Sequence, residues 1–234
     1  MDPQKAVQKA GKDTHALTQS MHRRKFLMFT GAAASAALVG VACKKEDNNN
    51  GNGNGVNLGS GDVGVLNYAY ALEQLEAAFY TQVMATPYSG MSAVEMAYMA
   101  DIRDHEIAHR EFFKNALMSN AIQDLEVNFD AIDFTKRDSV LATAKAFEDL
   151  GVAAYNGAGQ LLTNPTYLLL AGKIVSVEAR HAALIRDLIS NGSFADNTTV
   201  DAMGLDMAKS PQEVLMTAAA FLKTPLNASN LPTS

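Results

Sequence analysis

The stretches Glu106-Ile107-Ala108-His109 and Glu178-Ala179-Arg180-His181 decide how this chain is read. Each lies in a segment with helical periodicity. A spacing of three places a carboxylate and an imidazole on one helix face, about one turn apart. A pair so placed can hold the same metal ion. Two such helices, with one further glutamate from each of two other helices, supply the ligands of a carboxylate-bridged two-metal site. Of the three histidines that follow the first sixty residues, two fall in this pattern. At ordinary residue usage, chance would place both glutamates in roughly one case in a few hundred.

Working outward from these motifs, four long helices are expected, over about 62–86, 92–120, 138–162 and 164–191. Ser92-x-x-Glu95 is a capping-box pattern that opens the second. Asn164-Pro165 is a suitable N-cap and first-turn pair for the fourth, and Asn191-Gly192 a suitable stop. Between the second and third lies a longer connection, about 121–137, in which Leu125, Val127 and Phe129 alternate with polar residues. An extended residue covers about 3.3 Å, so this stretch can cross the length of a bundle. Ser210-Pro211 opens a short fifth helix running to about Lys223.

The apolar stripes of the four long helices each carry a carboxylate near their middle. Helix one presents Leu66, Tyr70, Glu73, Ala77, Tyr80 and Met84. Helix two presents Met99, Ile102, Glu106, His109, Phe113 and Ala116. Helix three presents Leu141, Ala144, Glu148, Gly151, Tyr155 and Leu162. Helix four presents Ala171, Ile174, Glu178, His181, Ile185 and Leu188. This alternating three-four spacing is the seam of a packed bundle. Carboxylates are almost never buried unless paired or metal-bound, and four at one level repel unless cations neutralise them.

An internal repeat supports the same set. Glu73 and Glu148 are each followed seven residues later by tyrosine, Tyr80 and Tyr155. The two Glu-x-x-His helices align as Ile102 with Ile174, Glu106 with Glu178 and His109 with His181. The expected metal ligands are therefore Glu73, Glu106, His109, Glu148, Glu178 and His181. Glu76 is an alternative to Glu73, because it lies on a neighbouring apolar stripe of helix one; the repeat favours Glu73, since Glu76 aligns with Gly151. Tyr80 and Tyr155 are either core tyrosines or hydrogen-bond donors to the bridging carboxylates. His105 stands off the seam, at the surface or behind a ligand. Gly151, Gly157 and Gly159 weaken helix three by roughly 1 kcal/mol each relative to alanine, either to admit a close neighbour or as a local kink.

At Leu72-Glu73-Gln74-Leu75-Glu76-Ala77-Ala78-Phe79-Tyr80, Asp104-His105-Glu106-Ile107-Ala108-His109, Phe147-Glu148-Asp149-Leu150-Gly151-Val152-Ala153-Ala154-Tyr155 and Val177-Glu178-Ala179-Arg180-His181, the chain resembles the ferritin-like family that includes bacterial ferritin-like lipoproteins and plant desiccation-related proteins. The resemblance spans about 62–225. It implies an all-α, ferritin-like four-helix bundle with a long crossover between helices two and three and a short C-terminal helix. It also implies a di-metal carboxylate site, but no single reaction.

The amino-terminal region carries a different signal. Arg23-Arg24-Lys25-Phe26-Leu27 resembles a twin-arginine export signature, and an apolar run of small residues follows to Ala42. It ends at Cys43, the only cysteine in the chain. Leu38-Val39-Gly40-Val41-Ala42-Cys43 resembles a bacterial lipoprotein box, with Gly40 where leucine is usual. Residues 1–20 are polar and precede Met21, so Met1 and Met21 both fit as translation starts. The expected organisation is an export signal over 1–43, an Asn/Gly-rich tether over 44–61, the bundle over 62–192 and an extension with one short helix over 193–234. A tether of this composition buries too little apolar surface to offset its ordering entropy.

The net charge of −6 and a pI near 5.3, with no basic stripe, argue against a nucleic-acid partner. A single cysteine excludes an internal disulfide framework. The expected cofactors are two metal ions, iron first, with manganese or a mixed iron–manganese pair as alternatives, since carboxylate and imidazole ligands suit these metals. The expected function is oxygen- or peroxide-linked redox chemistry, such as ferroxidase or peroxide scavenging, in a periplasmic, outer-membrane or cell-surface lipoprotein anchored at Cys43. The alternative is a non-enzymatic, lipid-anchored stress-protective or binding protein whose metals are structural. A closed ferritin shell is not expected; the oligomeric state is left open.

Overall fold

The computed structural model describes residues 55–233. The expected export signal, Cys43 and most of the expected tether lie outside the described residues. Four long helices form two hairpins: α1 (Gly61–Ala85) with α2 (Ala93–Leu117), and α3 (Arg137–Gly159) with α4 (Pro165–Ile189). A short α5 (Pro211–Ala218) packs against α3. The chain is mostly helical, as the periodicity predicts. Among the described residues no helix is long and apolar enough to cross a membrane.

Local chemistry sets the helix ends. Ser92 Oγ accepts from the Glu95 amide while Glu95 Oε2 accepts from the Ser92 amide, closing the capping box that opens α2. Ser210 and Glu213 repeat the device at α5. Asn164 Oδ1 accepts from the Thr166 amide, and Pro165 occupies the first turn of α4, where its missing N–H costs nothing. Helix α2 stops at Leu117, three residues before the expected end, because Met118–Asn120 tighten into a 3-10 turn. Helix α3 stops at Gly159 rather than near 162.

The crossover runs from Ala121 to Lys136 and lies along α1. Its amides and carbonyls are met by two buried polar side chains of α1. Asn67 Oδ1 accepts from the Ile122 amide and its Nδ2 donates to the carbonyls of Leu58 and Asn120. Gln74 Oε1 accepts from the Leu125 amide. The crossover is itself edged by the C-terminal segment: Asn128 donates to the Phe221 carbonyl, Lys223 donates to the Glu126 carbonyl, and Val127 bridges Leu222 in antiparallel fashion. With this cover, both apolar stripes of α1 are interior, and α1 is buried around most of its circumference.

One boundary and one interior position differ from the sequence reading. The end of the expected tether is ordered: β1 (Val56–Asn57) pairs in parallel with β2 (Leu226–Asn227), and Leu58 is fully buried in the core. The low-complexity composition ends at Gly55, and Val56 and Leu58 supply the apolar surface the preceding residues lack. On α2 the interior position is Leu117, while Ala116 is exposed. A 3.6-residue period drifts from a strict seven-residue seam, so after Phe113 the larger side chain turns inward.

Candidate metal centre

The two hairpins bring six side chains to one level inside the bundle. Glu73 comes from α1, Glu106 and His109 from α2, Glu148 from α3, and Glu178 and His181 from α4. All four carboxylates are fully buried. Two overlapping groups emerge. Glu73, Glu106, His109 and Glu178 form one, and Glu106, Glu148, Glu178 and His181 the other; in each, the four ligand atoms lie within 4.8 Å of one another. Glu106 and Glu178, the glutamates of the two Glu-x-x-His motifs, belong to both groups. Glu73 and Glu148 belong to one each.

The shared space between these groups suits cations. His109 Nδ1 is 2.9 Å from Glu178 Oε1 and 3.5 Å from Glu73 Oε2. His181 Nδ1 is 2.8 Å from Glu106 Oε1 and 3.4 Å from Glu148 Oε2. None of these contacts is aligned as a hydrogen bond, so Glu73 Oε2, both oxygens of Glu106 and Glu178, Glu148 Oε2 and both Nδ1 atoms stay unsatisfied despite complete burial. Unpaired buried polar atoms are costly, and eight converging on one space are a donor set that could hold metal ions. Four carboxylates also balance the charge of two divalent cations while leaving both imidazoles neutral.

Electrostatics without metal show the strain of this arrangement. Burial pushes Glu106 well above the usual carboxylate range, and the Glu178 charge adds to it. Burial also raises Glu148, to about 7, against the opposing pull of His181. For Glu178 burial pushes upward too, but the two imidazoles against it win and hold it at about 2. Burial would lower His181; close contact with Glu106, Glu148 and Glu178 reverses this and lifts it to about 12. His109 is raised in the same way by Glu106, Glu178 and Glu73. Protons on the two imidazoles stand in for cations.

A family model described as the ferritin-like domain matches residues 61–191. The chain belongs to the ferritin-like domain family. No curated protein matches it significantly.

Within this ferritin-like domain the two tyrosines have specific partners. Tyr80 of α1 donates to Glu148 Oε1 of α3 at 2.5 Å. Tyr155 of α3 donates to Glu73 Oε1 of α1. The acceptors are therefore the two glutamates that belong to one group each, not the bridging pair expected from sequence. Helical spacing explains the difference: each tyrosine lies two turns beyond the glutamate of its own helix, so the glutamate its hydroxyl reaches belongs to the opposite hairpin.

Glu76, the sequence alternative to Glu73, is buried but lies outside both groups. Its Oε1 sits 3.1 Å from where a Cβ on Gly151 would be, beside a cavity of about 10 Å³ lined by Leu72, Leu75, Phe147, Leu150 and Gly151. Burial, then the charges of Glu106, Glu178, Glu148 and Glu73, push Glu76 well above the usual range. Gly151 thus makes room for a side chain, whereas Gly157 makes room for backbone: a Cβ there would fall 1.8 Å from the Lys209 carbonyl oxygen. Gly159 meets only ordinary contact with Leu168.

His105 is exposed, and its Nδ1 lies 2.9 Å from His181 Nε2 with the two rings stacked. Sequence reasoning placed it either at the surface or behind a ligand; it is both. The sequence signal was its position, one residue before Glu106 and so beside the seam.

Proposed function

We propose that this ferritin-like domain holds two metal ions, with Glu73, Glu106, His109 and Glu178 around one and Glu106, Glu148, Glu178 and His181 around the other. The observation that carries this reading is that Glu106 and Glu178 belong to both groups, which is what a carboxylate-bridged pair requires. Iron, manganese or a mixed pair suit ligands of this hardness. Two such ions supply paired one-electron redox chemistry toward oxygen or peroxide, so ferroxidase or peroxide-scavenging activity is the proposed function.

The protein's own residues have distinct parts in this. Burial of the carboxylates keeps the centre dry and strengthens every charge interaction in it. Tyr80 and Tyr155 hold the outer oxygens of Glu148 and Glu73, which aims the other oxygen of each at the shared space. His109 retains 13% side-chain exposure against 5% for His181, which makes its side of the centre the more accessible of the two.

The test is anaerobic loading of the protein with ferrous iron, followed by addition of oxygen or peroxide. Oxidation of about two irons per chain, with matching oxidant consumption that is lost in Glu178→Ala, is the expected result. Metal uptake and a raised melting temperature without any oxidant consumption would leave a structural metal site and defeat the redox proposal.

We further propose that the domain works in the cell envelope, on a lipid anchor at Cys43. Support comes from the Arg23-Arg24 pair and from the position of the only cysteine at the end of an apolar run. Mass spectrometry of the native amino terminus tests it: a lipidated Cys43 is expected, and an unprocessed chain in the cytoplasm would refute it.

A further inference from the structure

His109 and His181 are equivalents in the internal repeat, yet their surroundings differ. The residue before Glu106 is His105, while the residue before Glu178 is Val177. His181 is therefore backed by an imidazole, with Nε2 2.9 Å from His105 Nδ1, ring centroids 5.2 Å apart and planes within 9°. Among the described residues, His109 Nε2 has no such partner, and its side chain is the more exposed of the two.

The chemistry of neutral imidazole gives this contact a consequence. One ring nitrogen carries the proton and the other is free to bind. His181 Nδ1 faces the carboxylates, so it must be bare to accept a cation, and the proton must sit on Nε2. His105 Nδ1 is the acceptor for that proton. The contact thus fixes the ring plane of His181 and holds a partner for the Nε2 proton, so that when a cation replaces the Nδ1 proton the remaining one already sits on the outer nitrogen. The outer hydrogen bond of a metal-bound histidine commonly changes affinity by about 10–100-fold.

Resting on the two-metal reading above, we propose that His105 is a positioning residue for His181, and that it makes the Glu106–Glu148–Glu178–His181 position the tighter of the two and the first to fill. The Glu73–Glu106–His109–Glu178 position is the weaker and more exchangeable one. His105 touches no metal in this scheme; it acts through the ring it holds.

The test is titration of the full-length protein with cobalt(II) alone, followed by visible absorption and calorimetry. Two resolved binding steps are expected. His105→Phe keeps an aromatic ring for stacking but removes the acceptor; it should weaken the first step about 10–100-fold and leave the second within about twofold. His105→Gln can place a carbonyl oxygen near the same point and should recover most of the loss. His105→Gln keeps an acceptor on an exposed residue and should melt like the parent when metal-free, which separates positioning from stability. Equal weakening of both steps, or none in His105→Phe, overturns the proposal while leaving the two-metal reading intact. Failure of the parent protein to bind cobalt at all defeats both.

Discussion

Tyr80 and Glu148 sit on different helical hairpins, and the tyrosine hydroxyl donates to Glu148 Oε1 at 2.5 Å in a fully buried setting. Tyr155 and Glu73 form the reciprocal contact. The hairpins are thus stitched together across the candidate centre by two hydrogen bonds related by the internal repeat. Burial raises both tyrosines well above their ordinary range, with the glutamate they face adding to the effect, so each remains a proton donor.

Tyr80→Phe should therefore destabilise the protein by about 1–3 kcal/mol, the usual range for a hydrogen bond to a charged group. Phenylalanine fills nearly the same volume, so packing loss is small. Denaturant unfolding with and without metal measures this. No change in either state would show that Glu148 does not depend on the hydroxyl.

The shared and unshared glutamates should separate by metal stoichiometry. Glu178→Ala removes a group common to both positions and is expected to cut binding at both. Glu73→Ala removes a group from one position, so about one metal per chain should remain. Elemental analysis of protein loaded under identical conditions makes the comparison. Identical losses in the two variants would contradict the bridging assignment.

The metal-free protein should grow less stable as pH rises above about 4.5. Glu148 titrates near 7 in the fold against an ordinary 4.5, so between these values the folded chain holds more protons than the unfolded one. Stability falls with pH wherever that holds. His181, lifted from 6.5 to about 12, has the same sign: its contribution is complete below 6.5 and is lost as pH climbs toward 12. Glu178, held at about 2, acts oppositely and loses its contribution as pH falls from 4.5 toward 2. The chelated protein is thus expected to melt several degrees lower at about pH 8 than at about pH 5. Loaded protein should show a much smaller drop, because bound metal requires deprotonated ligands. Equal pH slopes in the two states would contradict this account.

Gly157→Ala should destabilise despite alanine's better helix propensity. The propensity gain is about 1 kcal/mol. Against it, a Cβ 1.8 Å from the Lys209 carbonyl oxygen forces the 209 segment away and breaks the bond from the Lys209 amide to the Ala153 carbonyl. Overpacking of this kind costs about 1–3 kcal/mol, and the lost bond adds about 1 kcal/mol. A net loss of about 1–3 kcal/mol by denaturant unfolding is expected, with faster proteolysis near Lys209. Gly172→Ala, with open space around it, serves as the control and should not destabilise.

The local grammar of the chain was enough to determine the helices, their caps and the six convergent side chains. Periodicity marks which positions share a face, a capping box or an Asn-Pro pair marks where a helix opens, and the spacing of three in Glu106–His109 and Glu178–His181 needs no tertiary knowledge to interpret. The repeat also favoured Glu73 over Glu76, although both stand on apolar stripes. Only the tertiary structure decided what covers each face. Periodicity on α1 shows two apolar stripes but not that the crossover and C-terminal segment bury the second, with Asn67 and Gln74 satisfying the crossover backbone. Nor does spacing along one helix reveal that Tyr80 answers to Glu148 and Tyr155 to Glu73, that Gly157 faces Lys209, or that His105 meets His181. Those pairs are separated by 52 or more residues, and their meeting depends on how two hairpins, a crossover and a terminal strap settle against one another. Local sequence pattern encodes the face a residue presents; the partner on that face is set by packing across the whole domain.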